Sequence, residues 1–172
     1  MPNCIISVSD KTNLDILCNY ILEKGYTIYS TGGTYKYILD NTNKKHHQNI
    51  LSITKLTGFP EILGGRVKTL HPKIYGGLLC DIDNESHIEN IKEHDITQFS
   101  LVVVNLYPFQ KQDMGKIDIE NIDIGGVSLI RASSKNYKYI SILTYPSQYD
   151  DFMVNSNHNL INLNYIKIGR AS

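Results

Sequence analysis

The stretch "CIISVSDKTNLDILCNYILEKGYTIYSTGGT", Cys4 to Thr34, decides the fold of this chain. Cys4 to Ser9 is an apolar run of strand length, after which Asp10 and Thr12 offer helix-capping side chains and Asp15 an acidic first turn. Leu14, Leu17, Cys18, Ile21 and Leu22 then follow the spacing of one buried helical face, and Gly25 supplies the stop. "YTIYS" is predicted as a second strand, "TGGT" as a turn and "YKYILD" as a short helix. Strand, polar loop and helix therefore occur twice in succession. That alternation predicts an α/β fold of three layers, with a mostly parallel central sheet and helices on both faces.

Downstream, "NTNKKHHQN" is polar and aperiodic and reads as an exposed loop before the strand-like "ILSIT". From Gly58 to Gly77 the chain is dense in glycine and proline and is predicted to be a long functional loop. "ESHIENIKEHD" can form a short amphipathic helix, and "LVVVNLYPF" is the strongest central-strand signal, ending at Pro108. "IDIGG" leads into the helical "VSLIRASSKN", "YISILT" gives another buried strand, and Pro146 opens a final helix in "PSQYDDFMVN".

A chain of 172 residues accommodates one ordinary domain, and a single domain over 1–172 is the expectation. The formal net charge is zero, so no global electrostatic term draws the protein to nucleic acid or to an acidic membrane surface. Any bound anion must be held by local groups. The three cysteines, Cys4, Cys18 and Cys80, are odd in number and set among apolar residues, which fits reduced core thiols in a cytoplasmic protein. No metal site is expected, because the adjacent His46 and His47 point apart on any regular element. The first residues, "MPNCIISVSD", lack a basic start and a long apolar run, and no stretch approaches membrane-spanning length.

In a parallel sheet the loops that leave the strands gather at one edge, where helix N-termini also point. Eight of the twelve glycines fall in the pairs Gly32-Gly33, Gly64-Gly65, Gly76-Gly77 and Gly125-Gly126, marking places of close backbone approach. "STGGT" combines threonine hydroxyls with open backbone amides, which suits a phosphate cradle as well as a plain strand-to-helix turn. Lys11 can add a point charge there or lie on the surface. Arg66 and Lys68 are two apart, so an extended backbone projects both cations to one side and Val67 and Thr69 to the other. His71 fits a structural hydrogen bond better than proton transfer. Asp123 reads as a helix cap or a site group, Arg131 and Lys135 as helix-surface cations or site groups, and Tyr107 as a packed or pocket-facing phenol.

Taken together and in order, "SVSDK", "STGGT", "LTGFPEILGGRVKTLHPKIYGGLL", "VVVNLYPF" and "NIDIGGVSLIRASSKN" resemble the inosine monophosphate (IMP) cyclohydrolase domain of the bifunctional purine-synthesis enzymes. The resemblance covers about Ile5 to Tyr149 and implies a methylglyoxal-synthase-like fold. It also implies dehydrative closure of the formamidoimidazole-carboxamide ribonucleotide to IMP, without metal or cofactor. By residue, it assigns Ser9, Asp10 and Lys11 to a first nucleotide-binding loop, and Thr31, Gly32, Gly33 and Thr34 to a phosphate-facing one. Arg66, Val67, Lys68 and Thr69 would border base and ribose. Val104 and Asn105 would form a base-binding strand end beside Tyr107, and Asp123, Ile124, Gly125 and Gly126 would meet the base. Lys135 and Lys68 are the expected proton-transfer and catalytic groups, with Tyr107 and Asp123 beside them.

The sequence departs from the resembled pattern at Tyr75, where histidine is frequent, and at Ser133 and Ser134, where alanines are usual. It also ends, after "NYIKIGRAS", before the segment that leads into a folate-dependent transformylase. A C-terminally incomplete cyclohydrolase domain, normally fused to a transformylase and a candidate homodimer, is therefore the expectation. A regulatory nucleotide-binding domain of the same fold and a methylglyoxal synthase are the alternatives. The first would need no reactive lysine, and the second would centre its pocket on carboxylates.

Overall fold

The computed structural model describes residues 1–107, 119 and 122–155. Five parallel strands form one sheet: β1 (Asn3–Val8), β2 (Thr27–Ser30), β3 (Ile50–Ser52), β4 (Leu101–Asn105) and β5 (Ser141–Leu143), in the order β3-β2-β1-β4-β5. β1 lies at the centre because "CIIS" and "LVVVN" are apolar on both faces, as a strand covered on two sides must be. Its register sets Ile6 beside Ser30 on one flank and Val8 beside Asn105 on the other. The loops after β1, β2 and β4 consequently leave the sheet at the same edge. Pro108 and the tail from Ser156 onward, both singled out in the sequence, lie outside the described residues.

Seven α-helices occur among the described residues: α1 (Leu14–Glu23), α2 (Gly32–Asn41), α3 (Ile53–Thr57), α4 (Pro72–Leu79), α5 (Glu85–Glu93), α6 (Gly125–Lys135) and α7 (Tyr149–Asn155). Leu14, Leu17, Cys18, Ile21 and Leu22 of α1 are the buried set that the periodicity selects. They join Cys4, Ile6, Ile38, Val103 and Tyr149 in a core on one face of the sheet. On the other face, Ile74 and Leu78 of α4 and Leu129 of α6 pack with Ile5, Val102 and Val104. The expected three layers are present, and the sheet is parallel throughout its described strands. Cys4, Cys18 and Cys80 are free and buried. Burial pushes the Cys4 and Cys18 thiols up, away from the reactive thiolate.

Four local expectations change. The Gly32-Gly33 pair opens α2 instead of preceding it, since extended Thr31 serves as the N-cap and Gly32 adopts a positive φ of 36°. "KKHHQN" forms a 3-10 turn from Lys44 to Asn49, with the side chain of Asn43 accepting from the Lys45 amide. "ILSIT" is divided after Ser52, where α3 starts, so the edge strand has three residues. The second half of the supposed long loop is α4. Pro72 occupies its first turn, and His71 Nδ1 accepts from the Lys73 amide at 3.1 Å, so His71 is a helix cap.

The Gly76-Gly77 pair lies inside α4 for packing. A Cβ on Gly77 would stand 1.9 Å from the carbonyl oxygen of Thr97 and 2.9 Å from the Phe99 ring. One on Gly76 would meet Ile96 at 2.9 Å. Backbone cannot yield locally by that amount. Gly77→Ala is expected to destabilise the fold by about 3 kcal/mol, the upper range for overpacking, read as a lowered urea midpoint; an unchanged midpoint would refute the close helix-to-loop contact.

Candidate functional site

The loop after β1 is tied to the end of β4. Asn105 Oδ1 accepts from the amides of Ser9 and Asp10 at 2.7 and 2.8 Å, and its Nδ2 donates to the Asp10 carbonyl at 2.8 Å. Asp10 Oδ1 accepts from the Thr12 amide and hydroxyl at 2.9 and 2.7 Å, and these contacts hold its carboxyl below the ordinary aspartate range. Lys11 Nζ donates to the Ser9 carbonyl at 3.2 Å, turning back over the loop. The second loop is attached to the first: Thr34 Oγ1 donates to the Val8 carbonyl at 3.0 Å, and the Ser7 and Thr31 hydroxyls are 3.1 Å apart. Thr31 and Thr34 are buried, whereas Gly32 and Gly33 are exposed, so backbone is what this helix start presents outward.

The segment after Gly64-Gly65 enters between these loops and α6. Ile62 and Val67 form an antiparallel bridge, closed by a turn in which Leu63, Gly64 and Gly65 take φ of 55°, 63° and 88°. Two glycines therefore occupy two of three consecutive left-handed positions, as the sterics of that region require. Lys68 follows the bridge. Its Nζ lies 3.4 Å from where a Cβ of Gly32 would be, at the start of α2. The next residue, Thr69, is 5 % exposed, and its Oγ1 lies 2.9 Å from where a Cβ of Gly125 would be, at the start of α6. Lys68 and Thr69 thus adjoin two helix N-termini that belong to distant parts of the chain.

An ammonium beside a helix N-terminus is disfavoured by about 0.3–1 kcal/mol, because both are positive. Glu61 offsets this. Its Oε2 is 3.1 Å from Lys68 Nζ, with both side chains about one-third exposed at 30 and 35 %. Sequence reading missed Glu61, although one signal marks it: in a hairpin turned at Gly64-Gly65, residue 61 lies across from residue 68.

At α6, Asp123 Oδ1 accepts from the Gly126 amide at 2.6 Å, so its carboxylate serves as the helix cap. A Cβ on Gly126 would be 2.7 Å from Asp123 Oδ2 and 2.8 Å from Leu106 Cδ2, which explains the second glycine of that pair. Ile124, just before this start, and Tyr107, just after Leu106, are 57 and 59 % exposed.

Within one chain, three placements differ from the arrangement that the motifs suggest. Lys135 does not join Lys68: α6 starts beside Thr69 and runs 11 residues to Lys135, roughly 15 Å of helix rise away. At that far end, Asn136 Nδ2 caps α4 by donating to the Leu78 and Cys80 carbonyls. Arg66 has helical backbone angles of −68° and −25°, so the alternation that would align it with Lys68 does not hold. Val104 is buried in the core, and the side chain of Asn105 is engaged by the Ser9-Asp10 loop, leaving the β4 end few free groups for a base. Among the described residues, no group of three or more His, Cys, Asp or Glu could hold a metal, and no helix is long and apolar enough to cross a membrane.

A parallel α/β sheet that gathers glycine-opened helices and a lysine-threonine pair at one edge has backbone amides and a cation where domains of this architecture present their loops. A family model for the MGS-like domain matches residues 15–128, and the chain belongs to that family. It is 51 % identical over 151 residues to the bifunctional purine biosynthesis protein PurH of Thermoanaerobacter sp. strain X514, covering 85 % of this chain and 29 % of that one. Identity to the protein of the same name from Leptospira biflexa is 46 % over 157 residues, 88 % of this chain and 30 % of the relative. The chain therefore spans about a third of the length of these curated relatives. Among solved structures, one titled "Crystal structure of ForH" superposes with a TM-score of 0.81 at 28 % identity, covering 98 % of this chain and 88 % of the other.

Two measurements check the loop geometry. Asn105→Ala removes three hydrogen bonds and is expected to cost about 1–3 kcal/mol, with amide exchange at Ser9 and Asp10 becoming faster. Asp10, with its folded pKa lowered, contributes stability that is present above its unfolded pKa and is lost as pH falls through the folded one. Its carboxyl should titrate below 3.8 by NMR, and a midpoint at or above that value would mean that the Thr12 contacts do not form in solution.

Proposed function

We propose that this chain is an IMP cyclohydrolase domain acting in the cytoplasm. The observation that carries this reading is the wedge of Lys68 and Thr69 between the Gly32 and Gly125 helix starts. The family membership and the PurH relatives support it. Backbone amides at Gly32 and Gly33 would receive the 5′-phosphate of the purine-precursor ribonucleotide, aided by Lys11 and by the loop of Ser9 and Asp10. Val67, Thr69, Ile124, Gly125 and Gly126 would border ribose and base, with Val104 and Asn105 offering only backbone there and Arg66 at the rim. A transformylase domain in the same polypeptide and pairing with a second copy belong to the same proposal.

The chemistry then depends on placement. The carboxamide nitrogen bonds to the formyl carbon, the formyl π-electrons move onto oxygen, and one N–H proton passes to that oxygen. The resulting hydroxyl departs as water with the proton of the other ring nitrogen, and a C=N bond closes the pyrimidine ring. Both reacting groups hang from one imidazole, so fixing them face to face supplies much of the rate. Lys68 would stabilise the developing oxyanion electrostatically, while Thr69 and the phenol of Tyr107 would assist proton movement. Asp123 contributes by holding the α6 start in place. Within one chain, Lys135 is too distant to share this step with Lys68. The carboxylates of Asp10 and Asp123 are both occupied by backbone amides, which disfavours a methylglyoxal-synthase-like acid centre.

The test is the ultraviolet absorbance change on conversion of the formylated ribonucleotide to IMP, without added metal or folate. Wild-type protein should turn over, and Lys68→Ala should lose about 100-fold or more in kcat with its fold intact by circular dichroism. Full activity in Lys68→Ala would reject this site.

A further inference from the structure

We propose that Glu61 is a positioning residue for Lys68, an inference that rests on the cyclohydrolase reading. The bridge between Ile62 and Val67 makes Glu61 and Lys68 the next pair outward on the two arms of the hairpin. Glu61 Oε2 holds the ammonium at 3.1 Å. The carboxylate itself is wedged at the same place, its Oε1 4.0 Å from a Gly32 Cβ position and its Oε2 3.8 Å from a Gly65 one. Gly65, at a φ of 88°, leaves room for the lysine stem, since a Cβ there would stand 2.9 Å from Lys68 Cε.

Lysine has a flexible stem and a compact charge, so its tip is fixed only by what it binds. Beside the positive start of α2, an unpaired ammonium would swing away into water. Glu61 acts through Lys68 and touches no reacting atom. Its loss should therefore affect the step in which Lys68 takes part, and should not weaken nucleotide binding, because a carboxylate beside a phosphate-binding edge opposes the incoming anion.

The experiment compares wild type, Glu61→Gln, Glu61→Ala, Lys68→Ala and the Glu61→Gln/Lys68→Ala double variant, with two readouts. In the cyclisation assay, Glu61→Gln is expected to lower kcat about tenfold without raising KM, and to cause no further loss in the Lys68→Ala background. Independently of activity, acetylation by sulfosuccinimidyl acetate, followed by peptide mass spectrometry, should label Lys68 severalfold faster in Glu61→Gln, with exposed Lys135 as the internal reference. Equal losses in both backgrounds, or a kcat unchanged in both Glu61 variants, would overturn the inference while leaving the cyclohydrolase reading in place. A wild-type protein that makes no IMP would sink that reading instead. Labelling would then decide whether Glu61 anchors Lys68, and an unchanged rate would overturn the anchoring too.

Discussion

Everything at the candidate site depends on β1 pairing in parallel with both β2 and β4. That pairing places Val8 next to Asn105 and Ile6 next to Ser30. Two glycine-opened helices and the first polar loop are thereby delivered to one edge, although Asp10 and Gly125 are more than a hundred residues apart in the chain. Parallel strands need long crossovers, and the crossovers supply the helices that cover both faces. The bonds from Asn105 to the Ser9-Asp10 loop and from Thr34 to Val8 then fix the loops against one another. Side chains usually thought of as ligand-facing are thus spent on holding backbone, and what the described part of the edge offers is mainly amides, with Lys11 and the Glu61-paired Lys68.

The glycine pairs separate into different physical roles. Gly64 and Gly65 take left-handed conformations in a tight turn, and Gly65 also leaves room for Lys68. Gly32 combines a positive φ with proximity to the ammonium. Gly125 and Gly126 admit Thr69 and the Asp123 carboxylate to the start of α6. Gly76 and Gly77, which share the same motif in sequence, face the backbone and side chains of residues 96–99 and have no part in the site. Identical dipeptides acquire function or packing according to what the fold brings against them.

The element alternation, the buried face of α1, the central strand at "LVVVN" and the layer structure were all legible from periodicity. They depend on side-chain spacing along a single element, and that is a local property. The start of α2 within "GG", the helical half of the Gly58–Gly77 stretch and the division of "ILSIT" were not. Each is decided by a cap or by an edge position that composition does not reveal. The place of Lys135 was not legible for a geometric reason: a motif suggests shared chemistry, but within one chain an 11-residue helix carries its last residue away from the end that meets Thr69.

By itself the sequence determined that this is an α/β protein with glycine-rich turns at its strand ends, and that Lys68 and Thr69 sit in an irregular segment. Hydrophobic periodicity and the conformational freedom of glycine are written residue by residue, so no partner is needed to read them. Only the tertiary structure decided that Lys68 meets Gly32 and Glu61 while Thr69 meets Gly125, and that Lys135 lies elsewhere. Those relations depend on strand order and on the path of a hairpin across the sheet edge, and distance along a chain carries no information about either.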